Sequence, residues 1–214
     1  MPPDLSAFLV RFLIVPLVIS IILCLYYWKR LPIAFKFLSF YLWCNLTVEV
    51  IVFFLPPGTN NLPLLHLYTL FEFILISLIY RKMGLFDPWP AQYFAIFLIS
   101  IAGLIVLNSI FLESIYTYNS YAKTVVQLLF IGYAVGYMFQ LKENSPDAGA
   151  HNLMNYAILI AYSGSLFIFM FGNVLLADEF DNLFWDINVL LNLLFQILIL
   201  ISVWKASRVR KLQF

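Results

Sequence analysis

The residues able to do chemistry in this chain are few, and they interrupt long apolar runs. Glu49 and Glu72 are carboxylates set inside such runs, and His66 is an imidazole near the start of one. An ionised carboxylate buried without a partner is prohibitively costly, so each must be protonated, paired or wetted. Two acids in differing environments could serve as general acid and base, with His66 as a third candidate if the chain is an enzyme.

The spacing around them is regular. Tyr41, Asn45 and Glu49 follow at i,i+4 steps, one face of a helix, while His66, Thr69 and Glu72 follow at i,i+3 steps with Tyr68 between them. Trp185, Asn188, Asn192 and Gln196 form another stripe, and Thr124 shares a face with Gln127. The candidate ligand-binding residues are the polar members of these stripes. They are Asn45, Glu49, His66, Tyr68, Thr69 and Glu72, then Asn108 and Gln127, then Asn188, Asn192 and Gln196. A structural role stands beside the binding one. Buried amides and hydroxyls in membrane bundles often serve as interhelical hydrogen bonds worth about 0.6 kcal/mol on average. A shallow His66 can also hydrogen-bond to headgroups or water.

Other chemistry is poorly supported. The chain has no GxSxG, HExxH, Walker or dinucleotide fingerprint. A zinc site could at best combine His66, Glu49 and Glu72, a poor set beside two or three histidines, so no metal is expected. Cys24 and Cys44 lie inside apolar segments without ligand spacing and read as small hydrophobes. No mid-helix lysine precedes Lys205 in the last segment, as a microbial rhodopsin would require, and the histidine pair of the ceramidase and adiponectin-receptor superfamily is missing.

The elements that must position these residues follow from composition. The 214 residues are 64% hydrophobic and 11% charged, with net charge +1 and mean hydropathy +0.94. Soluble domains carry about 25% charged residues. That balance excludes a disordered chain, a nucleic-acid binder and a soluble enzyme, and implies one all-α polytopic membrane domain over 1–214. Seven spans of roughly 19–24 residues are expected, at about 7–28, 33–55, 62–80, 91–113, 120–141, 152–175 and 184–204, each able to cross about 30 Å of hydrocarbon. The first is expected to stay as a membrane helix, kinked at Pro16, because its basic cluster Lys29–Arg30 follows the apolar run. Gly132 and Gly136 suggest a close helix crossing in segment five.

Basic residues give the orientation. With the N-terminus outside, the cytoplasmic side receives Lys29, Arg30, Lys36, Arg81, Lys82, Lys142, Lys205, Arg208, Arg210 and Lys211, and the outer side only Arg11 and Lys123. The C-terminus is then cytoplasmic, and the acidic patch Asp178–Glu179–Asp181 with Asp186 lies outside. Counted inward from the span ends, most candidates fall roughly 6–18 Å deep in the outer half, with Glu72 near the midplane. Lys123 falls near the outer surface, so Glu72 is expected to be protonated or held by amide and hydroxyl donors. On the cytoplasmic side His151, Asn152, Asn155 and Tyr156 read as a solvated helix start.

The segment NNLPLLHLYTLFEF resembles small bacterial seven-helix proteins, which implies a bacterial inner membrane and carries no residue roles. Three function classes remain. The first is a small-molecule or lipid ligand-binding or sensory module, which needs a cytoplasmic or membrane protein partner for output. The others are an intramembrane enzyme acting on a lipid or isoprenoid through Glu49 and Glu72, and a small-solute transporter. The cofactor is unknown, contact with membrane lipid is expected, and the location is a cell membrane crossed several times.

Overall fold

Long apolar runs without backbone partners of their own must satisfy every N–H and C=O internally, and in this chain they do so as helices. The computed structural model describes residues 3–56, 58–140, 146–171 and 181–209, with side chains described from Phe12 onward except at 181–185 and 209. Seven α-helices appear among the described residues: α1 (Pro3–Tyr26), α2 (Ile33–Phe54), α3 (Leu62–Met83), α4 (Ala91–Leu107), α5 (Ser120–Phe139), α6 (Ala148–Met170) and α7 (Asp181–Val209). No strand occurs among the described residues. Six helices are long and apolar enough to cross a membrane, whereas α1 contributes a shorter apolar stretch, Phe12–Tyr26, among the described residues. The chain is a helical, multi-pass membrane bundle.

Local sequence explains several boundaries. Pro16 lies inside α1 without ending it, and the Ser20 hydroxyl donates to the Pro16 carbonyl at 2.7 Å. Gly84 closes α3 in the left-handed region, φ 97°, where a side chain would be strained. α4 loosens into a π-helical turn over Asn108–Leu112. α6 begins at Ala148, one turn earlier than the sequence suggests, so the polar set expected at a solvated start lies within the helix. Asn155 is buried there, accepting from the Tyr80 hydroxyl at 2.7 Å and donating to the Ala134 carbonyl at 3.2 Å, while Tyr156 points outward. Asp178, Glu179, Lys142, Arg210 and Lys211, and the end of segment six at 172–175, lie outside the described residues.

The helices are not packed in chain order. α1, α2, α3, α5, α6 and α7 form a closed ring, each touching the next and α7 returning to α1, while α4 packs on the outside of α3. Few α4 residues are buried, and Ile99 is 71% exposed, which gives this helix a broad apolar surface for lipid. α3 and α5 therefore become direct neighbours running in the same direction, as the successive bonds Asn119–Thr69 and Ser77–Tyr133 require. The close helix crossing falls on α6, while on α5 a Cβ at Gly136 would meet only the Leu85 side chain of the α3–α4 connector, at 3.3 Å. A Cβ at Gly164 would meet the Leu191 side chain at 2.8 Å, whereas one at Gly132 would meet nothing.

The start of α5 is sunk into the bundle. Tyr118, Asn119 and Ser120 are all buried, and the Glu113 carboxylate folds back to cap the helix. It accepts from the Ser120 N–H at 3.0 Å, the Tyr121 N–H at 3.1 Å and the Asn108 amide at 2.9 Å. A carboxylate there satisfies free helix donors and opposes the positive end of the helix dipole. Glu113→Ala should destabilise the folded protein by about 1–2 kcal/mol, in the range of lost helix caps, with Glu113→Gln costing less. Unfolding of the detergent-purified variants by sodium dodecyl sulfate titration measures both.

Candidate functional site

Between α2, α3, α5, α6 and α7 lies a cavity of about 970 Å³. It opens at the end of the bundle where α2 finishes and α3, α5 and α7 begin, beside Phe53, Asn61 and Asp186. Its inner end is formed by Tyr41, Glu72, Gln127, Tyr162 and Phe195. Beyond that level Phe73, Ile76, Phe130, Ile158 and Ile199 are essentially inaccessible and form a continuous apolar plug.

A hydrogen-bonded network crosses the inner end. Lys123 of α5 forms a salt bridge with Glu72 of α3, both side chains almost wholly buried. The second oxygen of Glu72 accepts from the Tyr162 hydroxyl of α6 at 2.7 Å. Since that proton is committed, Tyr41 of α2 donates to Tyr162 across 3.2 Å. Tyr68 shares its proton between Tyr41, at 3.1 Å, and the Asn45 side-chain oxygen, at 2.8 Å. The protons of Tyr41 and Tyr162 thus point along one chain toward the carboxylate, with that of Tyr68 divided between the chain and Asn45. Lys123 is further enclosed by aromatic faces, 5.0 Å from the Tyr68 ring centre and 5.1 Å from that of Phe169.

This arrangement corrects the expectation for Glu72. The carboxylate is met by a lysine, because α5 begins at the depth of Thr69 and not at the bundle end. The Asn119 amide donates to the Thr69 hydroxyl at 3.3 Å, and Lys123 follows one turn deeper. Counting residues from a presumed common surface misplaced Lys123. The sign that could have found it is the polar run Tyr118–Asn119–Ser120 ahead of a lysine in an apolar segment.

The sequence candidates separate into two groups. Asn45, Glu49, Tyr68, Glu72, Gln127, Asn188 and Asn192 line the cavity. Glu49 sits one turn above Asn45 on the same stripe and has no hydrogen-bonding partner among the described residues. His66, Thr69, Asn108 and Gln196 lie outside the lining. His66 is fully used: its Nε2–H donates to the Thr117 carbonyl at 3.1 Å and its Nδ1 is hydrogen-bonded to the Ser109 hydroxyl at 2.8 Å. Asn108 braces the α5 cap, Thr69 donates to the Leu65 carbonyl at 2.8 Å, and Gln196 is buried in α7 with its side-chain oxygen unpartnered. Lys123, Tyr162 and Glu113 are the residues that sequence reasoning left aside.

Removing one member of a buried ion pair strands the other, at about 3–5 kcal/mol. Glu72→Gln and Lys123→Met should each destabilise the protein by that order, and the double substitution should cost less than either single one. A double-mutant cycle on reversible unfolding in mild detergent provides the check. No family model matches the chain, and neither a curated protein nor a solved structure is found to match it.

Proposed function

We propose that the chain is a ligand-binding or sensory module of a bacterial inner membrane, a single domain with seven spans, its N-terminus outside and its C-terminus cytoplasmic. In this reading the cavity faces outward and admits a small molecule or lipid, and occupancy is passed to a cytoplasmic or membrane protein partner. The observation that carries the proposal is the one-sided cavity, roomy and polar at one end of the bundle and stopped by the plug of Phe73, Ile76, Phe130 and Ile199 at the other. His151 does not line it, so among the described residues this cavity does not extend to the polar set near the other end, as a transporter reading would have it. Glu72 is neutralised by Lys123 and therefore suits a positioning role better than proton transfer to a substrate.

The basic residues support the orientation, because Arg81, Lys82, Lys205 and Arg208 all fall at the end of the bundle away from the cavity mouth. In a background with Cys24 and Cys44 replaced, Thr59→Cys and Asn192→Cys should be modified by an impermeant methanethiosulfonate reagent added to intact cells. Lys82→Cys should react only after the cells are opened. Labelling of Lys82→Cys from outside would invert the topology, and labelling of Asn192→Cys from both faces would favour transport.

A further inference from the structure

Several groups that line the cavity have no hydrogen-bonding partner among the described residues: the Asn188 and Asn192 amides, which both donate and accept, and two groups that only accept. Gln127 is fully buried at the inner wall; its Nε2 donates to the Ser165 hydroxyl oxygen at 3.0 Å, and its Oε1 has no donor. The orientation of this amide is fixed by its neighbour. The Ser165 hydroxyl gives its own proton to the Ala161 carbonyl at 2.8 Å, so the oxygen can only accept, and the amide atom facing it must be nitrogen. The free atom is therefore a carbonyl oxygen. Across the cavity, the Glu49 carboxylate on α2 has no hydrogen-bonding partner among the described residues.

The charges point the same way. Glu49, Glu72 and Asp186 line the cavity against one lysine, and that lysine is already held by Glu72 and enclosed by the Tyr68 and Phe169 rings. Lys123 and Glu72 neutralise each other, so an anionic ligand would meet the uncompensated Glu49 carboxylate and no available cation among the described residues of the lining. A cationic ligand would meet Glu49 and the faces of tyrosine and phenylalanine side chains. We infer that the cavity takes an organic amine, a protonated nitrogen on an aromatic or apolar body, with Glu49 as the group that recognises its charge. The inference rests on the cavity being a binding site, as proposed above, and adds the ligand class.

The test uses the full chain in nanodiscs of zwitterionic lipid, with empty nanodiscs as the control for partitioning. Three water-soluble probes of similar size separate the possibilities by calorimetry: 2-phenylethylamine, 3-phenylpropionate and 2-phenylethanol. Saturable binding of the amine is expected, with the acid and the alcohol at least tenfold weaker. Glu49→Gln should weaken amine binding at least tenfold while leaving the thermal midpoint of the ligand-free protein unchanged, since the native side chain holds nothing in place. Acid or alcohol binding as tight as the amine overturns the inference, as does amine binding that Glu49→Gln leaves intact. If none of the three binds, the amine class falls. The binding-module reading falls with it only if Asn192→Cys is also unreachable from outside, whereas a reachable cavity that takes the acid removes the ligand class alone.

Discussion

The salt bridge between Lys123 and Glu72 is the constraint to which the rest of the bundle conforms. Neither charge could lie at that depth alone, and each fixes the helix that carries it against the other. Because Glu72 also accepts from Tyr162, which receives from Tyr41, the pair sets the mutual positions of α2, α3, α5 and α6. An apolar replacement of similar volume could hold the same helices with less desolvation. What it could not do is line a cavity with directed polar groups, since a lipid-like wall selects no particular orientation in a ligand.

The periodicity of the sequence carried the helices and the faces within each helix, and the partners across helices were harder to read. The stripe Tyr41–Asn45–Glu49 is a local property, visible because the residues repeat every fourth position, and its members do look onto one cavity. His66 and Asn108 carry the same polar character but are consumed by Ser109 in the π-helical turn and by Glu113 and Thr117 in the connector after it, where no regular helical periodicity can be read. Lys123 escaped because depth was counted from a common surface, and the capping of α5 by Glu113 sets its start well inside that surface. Neighbour order was equally hidden, since adjacency of α3 and α5 across an intervening helix leaves no trace in spacing.

The two halves of the bundle have different characters. Toward the open end, polar side chains meet across a space large enough for a ligand. Toward the other, Phe35, Leu38, Ile76, Ile158 and Ile199 are packed shut, with the Tyr80–Asn155 bond fully enclosed among them. Close-packed interiors transmit displacement because they do not compress. A movement of Tyr162 or Glu72 would therefore be felt along α6 and α3 and not absorbed beneath the cavity.

α4 buries little and holds no cavity residue, yet the direction of half the molecule depends on it. A chain that leaves α3 at one end of the ring must be carried back before α5 can enter from the same end as α3. This helix supplies that return passage from outside the ring. Without an odd number of crossings between them, Lys123 would arrive inverted, at the far level from Glu72. The lipid-facing helix is thus a counting element: its contribution is parity, which almost any apolar span of adequate length could provide.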